Sequence, residues 1–306
     1  MKRILTALAI TSTLVVTAGC ASEVNSRQTP SSSATTVADA NPHSGHNMGD
    51  SKTPGAEENP HGGHGGHSEN SKLEPANAVA TLTVPAKVTN KAPIALAIDV
   101  KDKKGKPIAN FDKFQEKLMH LIVVSDDLQS FNHIHPTYKG NGRFEVQADF
   151  PQPGGYTLFS DYKVAGKAEQ VSTLKVQVPG TSSNTSKIDL ATTKTFGNTK
   201  ANLKLSQSTI KAGQEVHLIF NLLDAASNQS PKDLQNYLGE RGHLVILKQS
   251  SPLTEADYIH AHAMKDTPPG EIHFITSFPQ PGKYKMWGQF NRNGKIITAD
   301  FWVDVQ

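Results

Sequence analysis

Cysteine is almost missing from this sequence: there is one in 306 residues, at position 20. A lone cysteine forms no disulfide within the chain and excludes Cys-rich zinc sites and iron–sulfur clusters. Any metal must then be held by His, Met, Asp or Glu. An excess of one charge is missing too. The formal net charge is +3, and without Lys2 and Arg3 the 31 basic residues fall to 29 against 28 acidic. Such a balance leaves no electrostatic footprint for nucleic acid. Apolar residues are scarce at 36%, but much of the deficit sits in the first 75 residues, so the remainder can still build cores. The apolar run at residues 4–16 is short and broken by Thr and Ser, which argues against a membrane span. There is no nucleophile–base motif and no phosphate loop, so a binding protein is expected rather than an enzyme.

What is present begins with an export leader. Lys2 and Arg3 supply the charged start, and Thr17-Ala18-Gly19-Cys20 closes the apolar run. This ending resembles the lipobox of bacterial lipoproteins, with Thr17 departing from the usual aliphatic residue. The resemblance implies that residues 1–19 are removed and that Cys20 is diacylated, anchoring the chain to a bacterial membrane outside the cytoplasm. Two or more acyl chains give stable anchoring. A lipidated Cys20 also removes the thiolate that a blue-copper centre needs. The plain alternative is an ordinary signal peptide with a chance cysteine.

Residues 20–76 are Ser, Thr, Asn, Gly and Pro with few large apolar side chains. They cannot bury enough surface to offset chain entropy and read as a disordered tether. Five of the 13 histidines fall between His43 and His67. His61, His64 and His67 alternate with Gly-Gly pairs, a spacing that lets a flexible chain wrap several imidazoles around one ion. A tract of this kind would bind copper, zinc or nickel loosely. The bland reading is a polar linker in which histidine is incidental.

The rest of the chain is a duplication. Met119-His120-Leu121-Ile122-Val123-Val124-Ser125 is followed by Phe131-Asn132-His133-Ile134-His135-Pro136. About 125 residues later the pattern returns as Gly242-His243-Leu244-Val245-Ile246-Leu247, then Tyr258-Ile259-His260-Ala261-His262-Ala263. Each copy continues into the same punctuation, Phe150-Pro151-Gln152-Pro153-Gly154 and Phe278-Pro279-Gln280-Pro281-Gly282. Short alternating runs separated by turn residues predict about seven strands per copy and no long helix. The expected fold is all-β: two tandem immunoglobulin-like β-sandwiches at residues 77–180 and 199–306, joined by a linker at 181–198. Residues 111–117 read as a helical turn or loop, and 231–242 as a polar stretch able to hold a short helix.

Within this frame His133 and His135 leave one face of an extended segment, and a hairpin would bring His120 beside them. Three imidazoles with one open position suit copper or zinc. His120, His133 and His135 are therefore expected to form one site, and His243, His260 and His262 a second. Asp161 is a candidate oxygen ligand for the first. Met119 alternates away from His120 and reads as core. Met264 and Met286 could offer sulfur but read as packing, and His217 and His273 as half-buried strand residues.

The stretch from Met119 to Leu128 with Phe131 and His133-Ile134-His135-Pro136, and residues 278–284 with Trp287, Gln289-Phe290 and Gly294-Lys295, resemble bacterial exported metal-handling β-sandwich proteins of the FixH/YtkA-like type. The resemblance covers residues 77–306 and implies a metal, copper foremost, bound outside the cytoplasm. The reading is a membrane-anchored protein that scavenges, buffers or delivers copper, with zinc and nickel as alternative ions. Its partners would be the membrane, through Cys20, and a metal transporter or metalloprotein, with no nucleic acid. One alternative is a structural or partner-binding sandwich module with no folded metal site. A bicupin-like metalloenzyme fits less well, because no glutamate follows His135 closely and no histidine follows either Pro-x-Pro-Gly turn.

Overall fold

The computed structural model describes residues 73–181 and 187–306. Cys20, the leader and His61, His64 and His67 of the tether lie outside them. The described residues contain no α-helix, and none of their helices is long and apolar enough to cross a membrane.

The chain is all-β and folds into two tandem immunoglobulin-like sandwiches. In the first, one sheet orders β1 (Ala78–Thr83), β2 (Ile94–Asp102), β7 (Arg143–Ala148) and β6 (Thr137–Gly140). Its other sheet contains β5 (Phe131–Ile134), β4 (Met119–Ser125), β8 (Gly154–Val164) and β9 (Glu169–Val178), with β3 (Phe111–Asp112) at the end of β8. The second sandwich repeats this plan. β11 (Thr199–Leu205), β12 (Glu215–Asp224) and β16 (Glu271–Ser277) make one sheet, with β10 (Thr193–Phe196) at its edge. β15 (Tyr258–His262), β14 (His243–Lys248), β17 (Gly282–Arg292) and β18 (Lys295–Val305) make the other, with β13 (Leu234–Gln235) at the end of β17. The copies differ at their edges: β6 extends the first, β10 the second. β10 uses residues that the sequence pattern left in the linker.

Neither of the stretches read as able to form a helical turn does so. Residues 231–242 hold strand β13 and a tight turn at Tyr237–Glu240, in which Leu238 and Gly239 have φ of 56° and 81°. Residues 111–117 repeat this with strand β3 and a turn at Phe114–Lys117, where Gln115 and Glu116 have φ of 44° and 65°. Two successive left-handed residues close a two-residue hairpin, and that geometry overrides any helical preference.

The Phe-Pro-Gln-Pro-Gly segments end in Gly154 and Gly282, with φ of 128° and 140° that a β-carbon would strain. Both turns are held from inside. The Tyr156 hydroxyl donates to the Gln152 carbonyl (3.1 Å) and the Tyr284 hydroxyl to the Gln280 carbonyl (2.8 Å).

Strand β4 is buried on both faces, and the two faces go to different places. Met119, Leu121 and Val123 enter the core of the first sandwich with Phe144, Tyr156 and Tyr162. Ile122 and Val124 point the other way, into a third cluster that also takes Val245, Leu247, Tyr258, Trp287 and Trp302 from the second sandwich. β14 alternates in the same manner, with Leu244 and Ile246 in its own core. The two sandwiches thus pack sheet against sheet around a shared apolar layer. Burying each large side chain there stabilises by about 1.5–3 kcal/mol.

Candidate metal centre

The shared layer carries reciprocal contacts. Phe131 of the first copy stacks on Trp287 of the second, with centroids 4.7 Å apart, and Phe159 of the first stacks on Tyr258 of the second at 5.1 Å. Sheet register makes these equivalent pairs. Phe131 lies opposite Val124 and Tyr258 opposite Leu247, while Phe159 lies opposite Ile122 and Trp287 opposite Val245. Lysines bridge as well. Lys285 Nζ donates to the Leu128 carbonyl (2.8 Å) and Lys175 Nζ to the Leu253 carbonyl (2.9 Å).

At one end of this layer apolar residues give way to histidine. His120 and His243 sit at matching ends of β4 and β14, on the faces that meet. The β4–β5 hairpin, with Ile122 opposite His133, brings the His-x-His pair alongside. Two separate sites, one inside each copy, were expected from sequence. The structure keeps His120, His133 and His135 together, groups His260 with Asp161 and Glu169 rather than with His243 and His262, and brings the six imidazoles side by side across the interface. His243 lies 4.4 Å from His133 and 4.5 Å from His260, ring centre to ring centre, and 5.8 Å from His120. The copies had to be seen packed, because nothing in either repeat says that its second face is covered by the other.

One half of the cluster is neutral imidazole. Ligand-competent nitrogens of His120, His133 and His135 all lie within 4.8 Å of one another. His120 Nδ1 and His133 Nε2 are 3.0 Å apart, and His120 Nε2 is 3.2 Å from the Phe114 carbonyl. His133 Nδ1 donates to Gln289 Oε1 of the second sandwich at 2.7 Å. As Gln289 is oriented, the two outer contacts use both N–H groups of a neutral pair, and two lone pairs then face each other. Turning the Gln289 amide would restore an ordinary donor chain, so convergence of the nitrogens carries more weight than the proton count. Burial, then the charges of His133 and His260, pushes His120 down to about 2. Burial and His135 push His133 down to about 3, and burial and His120 do the same to His135. Neutral imidazoles keep the lone pairs that a metal needs. Two nitrogens about 2.0–2.1 Å from one ion at roughly 90–110° stand about 2.9–3.4 Å apart, and the His120–His133 separation falls in that range.

The other half brings in two carboxylates, of which burial and then the charge of Glu169 push Asp161 well above the usual carboxylate range. Asp161, opposite His120 in β8, turns to the second sandwich. Its Oδ2 lies 3.0 Å from His260 Nδ1 and accepts from the Tyr258 hydroxyl at 3.2 Å. Glu169 Oε1 lies 3.4 Å from the same His260 nitrogen. Burial alone would lower His260, but the hydrogen bonds and charges of Asp161 and Glu169 outweigh it and lift its pKa to about 9. Asp161 was expected beside the first trio; it serves the second copy's histidine instead. Glu169, Gln289 and Tyr258 were missed, since only the pairing of β8 with β9 and the packing of the copies bring them to the site. His262 is exposed, its Nδ1 3.1 Å from Gln115 Nε2.

Several buried polar atoms here have no hydrogen-bond partner among the described residues: His135 Nε2, both ring nitrogens of His243, His260 Nε2 and Asp161 Oδ1. Each such atom costs about 1–3 kcal/mol if left unsatisfied. Of the other residues weighed, Met119 and Met286 are fully buried core, Met264 is half-buried, and His273 is bonded to Glu271 at 2.9 Å. His217 lies 3.8 Å from Glu215.

Residues 76–180 and 194–306 each match the family described as a domain of unknown function, DUF8832. No curated protein matches the chain. Among solved structures, the PKD domain of an M14-like peptidase from Thermoplasmatales archaeon SCGC AB-540-F20 is 15% identical, with a TM-score of 0.24, covering 35% of this chain and 99% of that one. Invasin, a bacterial integrin-binding protein, is 13% identical with a TM-score of 0.22; the match covers 73% of this chain and 39% of invasin. A tandem repeat from the extending region of a large adhesion protein is 9% identical with a TM-score of 0.25, covering 75% and 49%. Scores this low carry no argument about activity.

Proposed function

The chain belongs to the DUF8832 family, and we propose that it is a metal-binding protein held outside the cytoplasm by a lipidated Cys20, which scavenges, buffers or delivers copper. The observation that carries this reading is that nitrogens of His120, His133 and His135, buried or half-buried where the first sandwich meets Gln289 of the second, all lie within 4.8 Å of one another. All-imidazole ligation suits borderline ions, and the affinity order places Cu(II) above nickel and zinc at such a site. The His-rich tether would collect ions and the folded centre would hold them more selectively. Binding would use the chain's own nitrogens as ligands, oriented by Phe114 and Gln289.

The test is copper loading of the full chain, then dialysis and elemental analysis, with His120→Ala/His133→Ala compared against wild type. The tether is common to both, so the difference reports the folded centre. Loss of about one retained copper per chain is expected. An unchanged copper count would sink the reading and leave the paired sandwiches as a partner-binding scaffold.

A further inference from the structure

The structure points to more than one kind of ion site in this cluster. We propose that Asp161, Glu169 and His260 form a second cation subsite, built across the two sandwiches, for a divalent ion that accepts mixed oxygen and nitrogen ligands, with zinc as the type. It stands on its own ligands and does not require the imidazole trio to bind copper.

Three observations converge. One ligand atom from each of the three residues lies within 4.8 Å of the others, the spacing of groups able to share an ion. Asp161 is fully buried, and its Oδ1 has no partner among the described residues although Oδ2 has two. A fully buried carboxylate oxygen left in this way needs a proton or a cation. His260 also keeps an unpartnered Nε2, and His243, 1% exposed, turns its ring toward His260 with both nitrogens unpartnered. Lys163 stands opposite Glu169 in the β8–β9 pairing.

The chemistry differs from that of the trio. Two carboxylates and imidazole form a harder donor set, suited to zinc and less to reduced copper. The residues that make it so have no counterpart in the other half. The position matching Asp161 is Gln289, since His120 pairs with Asp161 and His243 with Gln289. Counting along the same strand pairs, the position matching Glu169 is Ile296.

The experiment uses the full chain, loaded with zinc, dialysed and analysed for retained metal, as wild type, Asp161→Asn and Glu169→Gln. Thermal unfolding of each metal-free variant checks that it folds. Each amide is expected to lose about one zinc per chain relative to wild type. Should Asp161→Asn fail to fold, Glu169→Gln decides, because Glu169 sits at the half-open edge of the site. An unchanged zinc count in the folded amides would overturn the subsite. That result, with copper still lost in His120→Ala/His133→Ala, would leave the copper reading standing. Zinc lost in the amides with copper unmoved by the histidine changes would sink only the copper reading.

Discussion

The first sandwich brings His120, His133 and His135 to the interface, and the second brings His243, His260 and His262 from the same strand positions. What each trio meets across the interface differs. His133 meets the neutral amide of Gln289 at 2.7 Å, whereas His260 meets the carboxylates of Asp161 and Glu169 at 3.0 and 3.4 Å. Burial therefore lowers His133, and lowers His243 and His262 of the second copy as well, whereas at His260 the hydrogen bonds and charges of Asp161 and Glu169 outweigh it. Duplicated histidines need not make duplicated environments. The residues opposite them in the partner decide the chemistry.

The comparison can be tested by breaking each side in turn. The largest effect is expected from the layer both halves rest on. Trp287→Ala removes the Phe131 stack and opens a cavity, costing about 4 kcal/mol, to be read from chemical denaturation. Next, Asp161→Ala strips His260 of a buried partner and should cost about 3 kcal/mol in the metal-free chain. Gln289→Ala, the matching change beside His133, should cost only about 1 kcal/mol. Equal losses would show that the two halves are not electrostatically distinct. Lys285→Met, which leaves the Leu128 carbonyl without its donor, should cost about 1 kcal/mol. His217→Ala, outside the cluster, should stay within about 0.5 kcal/mol of wild type and leave retained copper unchanged.

Much of this was legible in the sequence. The period-two runs gave the strands, the recurrence of His…His-x-His gave the duplication, and alternation placed Met119 in the core and His120 on the opposite face. A hairpin was expected to bring His120 beside His133, and β4 and β5 form it. The covering of that opposite face was not legible. Apolar residues on both sides of residues 118–125 say that both are buried, but Ile122 carries no mark of whether a sheet of its own domain or of the next one buries it. Asp161 was read as a candidate ligand for the first trio, and its contact with His260 was hidden for the same reason. Glu169 needs strand register as well as packing, and the turns at Phe114–Lys117 and Tyr237–Glu240 depend on left-handed backbone at residues other than glycine, which sequence signals poorly.

The reciprocal stacks, Phe131 on Trp287 and Tyr258 on Phe159, are the contacts of a two-fold dimer drawn inside one chain. In a true dimer every substitution appears twice, so an aspartate at one β8 strand would bring a second aspartate at the other, and two identical centres would result. The covalent join removes that constraint. It also makes the pairing of the halves independent of dilution. One chain can therefore carry an acid at position 161 and an amide at position 289, and hold two unlike environments side by side.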